Sequence, residues 1–217
     1  MTINEMLSHV DHTQLKAFAA WEDIVKLCEE AVLYRTASVC IPPAYVKRVK
    51  EAYGDRLVIC TVVGFPLGYS TREAKEEEVR QALRDGCDEV DMVVNISDVK
   101  NGLYEKVKEE IASLKQICRD RILKVIVEAC YLTEQEKIAM CRAVTEAGAD
   151  YIKTSTGFGT GGATKEDVEL FKEHIGSGVK IKAAGGIQTL DELAMYLQLG
   201  CDRVGMSKTA EACAGRI

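Results

Sequence analysis

The sequence predicts a (β/α)₈ TIM barrel built as a single α/β domain over residues 1–217. Three observations predict it. Eight short segments rich in Val and Ile alternate with longer, charged segments of helical period. One loop ending recurs three times. The glycine fingerprint that opens a doubly wound nucleotide-binding sheet is missing.

In chain order, the strand candidates are residues 7–11, 37–41, 57–63, 89–96, 123–128, 151–154, 179–183 and 203–206. Most are near-continuous apolar runs, the pattern of parallel strands covered on both faces. Helical stretches lie between them, among them residues 21–33, 71–84, 104–118 and 134–146. Ser70 with Glu73, Thr133 with Glu136, Thr164 with Asp167 and Thr189 with Glu192 fit the [ST]-x-x-[DE] capping pattern and mark helix starts. Helix ends carry glycine, which tolerates the left-handed cap conformation.

The recurrent ending is Gly86-Cys87-Asp88, Gly148-Ala149-Asp150 and Gly200-Cys201-Asp202, each followed at once by a strand. It is an internal βα repeat. Eight units in this length leave about 27 residues each, a compact barrel. An open sheet would carry GxGxxG or GxxxxGK[ST] after its first strand. Here that strand runs into Asp11-His12-Thr13-Gln14-Leu15-Lys16, with no glycine.

With 47% hydrophobic and 29% charged residues the composition is that of an ordinary globular chain. A net charge of −6 offers no basic footprint for nucleic acid or for an anionic membrane surface, so neither is expected as a partner. The nine cysteines are odd in number, never spaced as CxxC, and mostly set in apolar runs. They read as packing thiols in a reducing compartment. No secretory leader is expected in MTINEMLSHVDHT, and no apolar run reaches the length of a membrane span. The expected location is the cytoplasm.

The informative residues are charges in strands that should be apolar. These are Asp91 in Glu89-Val90-Asp91-Met92-Val93-Val94, Lys124 in Leu123-Lys124-Val125-Ile126, Lys153 in Tyr151-Ile152-Lys153-Thr154, and Lys182 in Lys180-Ile181-Lys182-Ala183. A buried charge costs several kcal/mol unless it is paired or functional. Asp91 and Lys153 each lie five residues after the glycine that opens their unit, with Gly205 equivalent in the last, so they should share a direction. Lys182 precedes the Gly186-Ile187 turn by four residues and is expected near the carboxyl end of its strand, where barrel active sites are built. One reading is a buried ion-pair lattice. The other counts three lysines against one carboxylate: repulsion and desolvation would draw a lysine towards the neutral amine, a nucleophile for carbonyl carbon.

Glycine-rich loops follow the late strands. They are Thr154-Ser155-Thr156-Gly157-Phe158-Gly159-Thr160-Gly161-Gly162, then Gly185-Gly186, then Gly205 with Ser207. They are either turns that need positive φ or a cradle of backbone N–H groups for phosphate. Three such loops converging favour a phosphate site, so the residues point to amine catalysis on a phosphorylated carbonyl compound.

The segments Asp150–Phe158, Val179–Ile187, Glu89–Asn95 and Asp11-His12-Thr13 together resemble those of the deoxyribose-phosphate aldolases, and they extend over nearly the whole chain. The resemblance implies reversible cleavage of 2-deoxy-D-ribose 5-phosphate to D-glyceraldehyde 3-phosphate and acetaldehyde through a lysine Schiff base. It implies Lys153 as the imine-forming lysine, Lys182 as the neighbour that keeps it deprotonated, and Asp91 as the proton shuttle. Lys124, Asp11, Thr13 and Cys40 would support them; Cys40 lies near the aldehyde pocket in relatives, though a packing role suits it too. Phosphate would fall to Gly157, Gly185, Gly186, Gly205, Ser207 and Lys208. No metal or cofactor is expected; the three histidines form neither HxH nor HExxH, and only His12 is placed at the mouth. A phosphorylated sugar and short aldehydes are the expected small-molecule partners, and a homodimer is what the resemblance suggests. Another imine-forming aldolase barrel, a sugar-phosphate-binding barrel and a structural barrel remain as alternatives.

Two departures stand out. Phe158 occupies a position that is basic in some relatives, and Ser207-Lys208 replaces a common Ser-Ser. Lys208 would either bring charge to the phosphate or cap a helix near solvent. The sequence ends at Gly215-Arg216-Ile217, without the tyrosine-bearing tail of some relatives, so tail-assisted proton transfer is not expected.

Overall fold

The computed structural model describes residues 1–215; Arg216 and Ile217, on which the expectation about the C-terminal tail falls, lie outside the described residues. In chain order the elements begin α1 (Ile3–Leu7), β1 (Val10–Thr13), α2 (Trp21–Tyr34), β2 (Ser38–Ile41), α3 (Val46–Tyr53), β3 (Ile59–Val63), α4 (Arg72–Arg84) and β4 (Glu89–Val93). They continue with α5 (Ile96–Lys100), α6 (Tyr104–Cys118), β5 (Ile122–Ile126), α7 (Glu134–Glu146) and β6 (Tyr151–Lys153). The last are α8 (Lys165–His174), β7 (Lys180–Ala184), α9 (Leu190–Leu199), β8 (Arg203–Met206) and α10 (Thr209–Cys213). The eight strands pair in sequence order, all parallel, and β8 closes on β1 through Val10↔Val204, Asp11↔Gly205 and His12↔Met206. This is the predicted TIM barrel.

Most boundaries lie within two residues of those predicted, and the larger differences have local causes. The first strand starts at Val10 because Thr2 and Glu5 form a capping box that turns 3–7 into a helix. The fourth stops at Val93 because the Asn95 side chain accepts the Ser97 and Asp98 N–H groups and starts α5. The fifth ends early as Glu128 takes a left-handed backbone, φ 52 and ψ 63. The cap of α4 is Thr71, not Ser70: its hydroxyl accepts the Ala74 N–H. Thr133, Thr164 and Thr189 cap their helices as predicted.

The apolar core lies outside the strand ring, not within it. Val39, Ile59, Val90, Met92, Leu123, Val125, Ile152, Ile181 and Val204 face outward and pack against Ile24, Val79, Ile111, Leu114, Met140, Val168, Phe171 and Leu193 of the helices. Each such side chain contributes about 1.5–3 kcal/mol when fully buried. This shell drives the fold, and it frees the alternate residues that point inward. The usual filling of a barrel is branched aliphatic. Here the inward positions carry Asp11, Ser38, Cys40, Cys60, Glu89, Asp91, Lys124, Lys153 and Lys182, all buried. Among the described residues no helix is long and apolar enough to cross a membrane.

Candidate active site

The three repeat glycines hold positive φ, at 96° for Gly86, 73° for Gly148 and 103° for Gly200. They set a common register for the strands that follow. Asp91 stands opposite Lys124, and Lys153 opposite Lys182, across neighbouring strands. The expectation that Asp91 and Lys153 share a direction holds: Lys153 Nζ donates to Asp91 Oδ2 at 2.7 Å. Lys182 Nζ donates to the same oxygen at 2.7 Å. The other oxygen, Oδ1, takes Lys124 Nζ at 2.9 Å and the Cys60 thiol at 3.1 Å.

A second tier lies below. Lys182 Nζ is 2.5 Å from Asp11 Oδ2, and Lys124 Nζ is 2.5 Å from Glu89 Oε2. Arg203 joins Asp11 Oδ1 to Glu89, the latter at 2.8 Å, and the Ser38 hydroxyl donates to Asp11 Oδ1 at 2.8 Å. Glu89 and Arg203 were missed from the sequence, although the repeat carries their signal. They stand three residues after Gly86 and Gly200, two before the Asp91 and Gly205 positions, and so on the same inward face.

The balance therefore differs from three lysines against one carboxylate. Four cations (Lys124, Lys153, Lys182, Arg203) meet three carboxylates (Asp11, Glu89, Asp91), leaving one positive charge in excess. The balance also bears on the charge of two of the lysines. Burial would favour the neutral amine of Lys182, but Asp11 and Asp91 outweigh it and hold the group protonated well above the ordinary lysine range. Lys124 behaves likewise, through Asp91, Cys60, Asp11 and Glu89. Burial also opposes ionisation of Asp91, yet Lys124, Lys153 and Lys182 together keep its carboxyl well below the usual range. Asp11 is held down in the same way by Lys182, Lys124 and Arg203.

Above this lattice, at the carboxyl ends of the strands, opens a cavity of about 340 Å³. Of the four lattice cations only Lys153 lines it; Lys124 and Lys182 are wholly covered, so Lys182 sits beneath the mouth. Thr13 forms part of the wall, its hydroxyl donating to the Asp11 carbonyl at 2.8 Å. The predicted Gly157, Gly185, Gly186, Gly205 and Ser207 line the cavity together. Gly157, Gly185 and Gly186 take φ 87°, 88° and 82°, conformations that suit glycine. Phe158 also lines it and meets Phe65 edge-on, with ring centroids 5.3 Å apart.

Lys208 is not on this wall. It precedes α10, exposed, with Nζ donating to Gln188 Oε1 at 3.0 Å. Among the described residues, the cation on the wall besides Lys153 is Lys16, which the sequence reading passed over. Its placement follows from the turn after β1 and had no periodic signal. His12, placed at the mouth by the sequence, points outward instead. Strand alternation sends Asp11 and Thr13 inward and leaves His12 Nε2 2.8 Å from Glu30 Oε2 on α2.

Cys40 is buried beside Cys60, its Cα partner on the next strand, and does not line the cavity. The adjoining Cys60 thiol lowers the Cys40 thiol, while burial pushes Cys60 up. Cys40, Cys60 and Asp91 bring their ligand atoms within 4.8 Å of one another. Three ammonium groups already neutralise Asp91, so a divalent ion there would face their charge at close range.

Comparison with known proteins agrees in kind. A family model described as DeoC/LacD family aldolase matches residues 6–205. The chain is 63% identical over 211 residues to a deoxyribose-phosphate aldolase of Clostridium botulinum (strain Alaska E43 / Type E3), covering 97% of this chain and 96% of the relative. It is 54% identical over 205 residues to one of Clostridioides difficile (strain 630), covering 94% of each. Among solved structures, the deoxyribose phosphate aldolase from Aeropyrum pernix superposes with TM-score 0.91 at 27% identity, over 100% of this chain and 94% of that one.

Proposed function

The chain belongs to the DeoC/LacD family of aldolases, and we propose that it cleaves 2-deoxy-D-ribose 5-phosphate reversibly to D-glyceraldehyde 3-phosphate and acetaldehyde through an imine on Lys153. One observation carries the mechanism: Lys153 is the only lattice cation that lines the cavity.

Lys153 is also the lattice ammonium with the fewest anions. It meets Asp91 alone, and shares that oxygen with Lys182. Lys182 and Lys124 each touch further carboxylates and stay charged. Of the three amines, Lys153 thus has the fewest charge partners, and the Lys182 ammonium bound to the same Asp91 oxygen lies beside it. The neutral amine adds to the aldehyde carbon of the open-chain sugar. A proton relayed to the carbinolamine hydroxyl lets it leave as water and gives the protonated imine, an electron sink.

The bond between C2 and C3 then breaks, its electron pair moving into the imine to form an enamine as the C3 hydroxyl gives up its proton. Glyceraldehyde 3-phosphate leaves. Protonation of the enamine and hydrolysis release acetaldehyde and restore Lys153. Asp91, 2.7 Å from Nζ, is the nearest carboxylate for these transfers. Its strong preference for the ionised form makes it a relay that passes a proton on, not a store. Gly157, Gly185, Gly186, Gly205 and Ser207 supply the phosphate cradle, with Lys16 as its nearby charge in place of Lys208.

The test is chemical. Acetaldehyde followed by borohydride should add about 28 Da, one ethyl group, to Lys153. The absence of an adduct, or one on another lysine, would overturn the assignment.

A further inference from the structure

Glu128 is a buried carboxylate that the reaction above does not use. It follows β5, is 1% exposed, and has no cation within ion-pair distance among the described residues. An unpaired buried carboxylate is costly unless donors satisfy it. Its donors come from the loop after β6. The Thr156 N–H reaches Glu128 Oε1 at 3.2 Å, and the Thr156 hydroxyl donates to Oε2.

The backbone is bent to deliver this contact. Among the described residues Glu128 is one of three non-glycine residues with positive φ, a conformation that a side chain disfavours. Such strain persists only where the surroundings enforce it. The loop then presses onto the carboxylate: a Cβ at Gly159 would lie 3.1 Å from Glu128 Cδ and 2.9 Å from Cys130 Sγ. The Thr156 hydroxyl, its proton committed to Glu128, accepts the Phe158 N–H at 3.0 Å across Gly157. A chain of contacts therefore runs from Glu128 to the turn whose Thr156, Gly157 and Phe158 wall the cavity.

We infer that Glu128 is a positioning residue that fixes the Thr156–Phe158 turn as one side of the phosphate cradle. Glu128 itself does not line the cavity, so it acts through Thr156 and not on the ligand. The inference rests on the phosphate reading given above, and deepens it. The Lys153 chemistry lies on the strand side of this turn and does not need the clamp.

The test is Glu128→Gln, which keeps the size but replaces one acceptor oxygen by a donor. KM for 2-deoxyribose 5-phosphate should rise about tenfold with kcat within about twofold, the signature of lost ground-state binding. Turnover of unphosphorylated 2-deoxyribose should not change. The dissociation constant of inorganic phosphate, measured by calorimetry, should rise in parallel with KM. Thr156→Val should raise KM and the phosphate dissociation constant likewise, and the double variant should be no worse than either single one in these two readings, because both cut the same link. An unchanged KM, equal losses on both sugars, or additive effects would overturn the clamp. Borohydride trapping of acetaldehyde on the same proteins separates the two readings: its failure in the parent would remove the imine mechanism, while phosphate binding would still decide the role of Glu128.

Discussion

Replacing Lys182 by Met removes one charge from the lattice and leaves the reacting amine in place. Lys153 and Lys182 each lie 2.7 Å from the same oxygen of Asp91, so their nitrogens are near neighbours. Two ammonium groups roughly 5 Å apart, at an effective dielectric near 20, repel by about 3 kcal/mol, which is about two pH units. The substitution also takes the lattice from one excess positive charge to none. Proton loss from Lys153 should become harder by that amount. The acid limb of the pH profile for adduct formation should move about two units towards alkali. At neutral pH the rate should fall about a hundredfold, and recover as pH rises. Breaking a buried ion pair also costs about 3–5 kcal/mol of stability, so the profile is read on protein whose circular dichroism matches the parent. Lys182→Arg, which keeps the charge, should leave the limb near its original place. The measurement is the initial rate of trapped adduct at Lys153 across pH. A Lys182→Met profile that overlays the parent would refute the argument that the neighbouring charge releases the nucleophile.

Two further outcomes follow from the lattice and the loops. The carboxyls of Asp11 and Asp91 are held low, so their contribution to stability is complete above the ordinary carboxylate value of about 3.9 and is lost as pH falls below it. Lys124 and Lys182 are held high, so theirs is complete below about 10.4 and is lost as pH rises beyond it. Urea midpoints should therefore stay flat between about pH 5 and 9 while activity changes; a midpoint that follows activity across this range would contradict it. Gly162→Ala should cost about 1–3 kcal/mol in thermal unfolding, because its Cβ would fall 2.2 Å from the Gly185 carbonyl oxygen. Gly178→Ala, with open space around it, should leave the melting temperature unchanged, and equal effects of the two would show that the loop yields.

The architecture was legible because it rests on periodic signals. Apolar runs alternating with capped helices gave the barrel, and Thr133, Thr164 and Thr189 gave three helix starts to the residue. The Gly-x-Asp repeat gave the register that brings Asp91 and Lys153 together. These are local properties, fixed by residues a few positions apart. Boundaries failed where a competing local signal went unread, as at the Thr2 box and the Asn95 cap.

What the sequence by itself determined was the set of strands, their order of repeat and the unusual charges on one face. The tertiary structure decided how those charges balance. Barrel closure brings β8 against β1, so that Arg203 meets Asp11, 192 residues apart, and reaches Glu89 as well. That closure turns an apparent excess of lysines into a nearly neutral lattice with two firmly protonated members. It also decides access: strand alternation turned His12 away, and the depth of each residue in the barrel left only Lys153 of the lattice at the cavity floor. Charge balance and depth depend on all eight strands at once, and no window of sequence contains them.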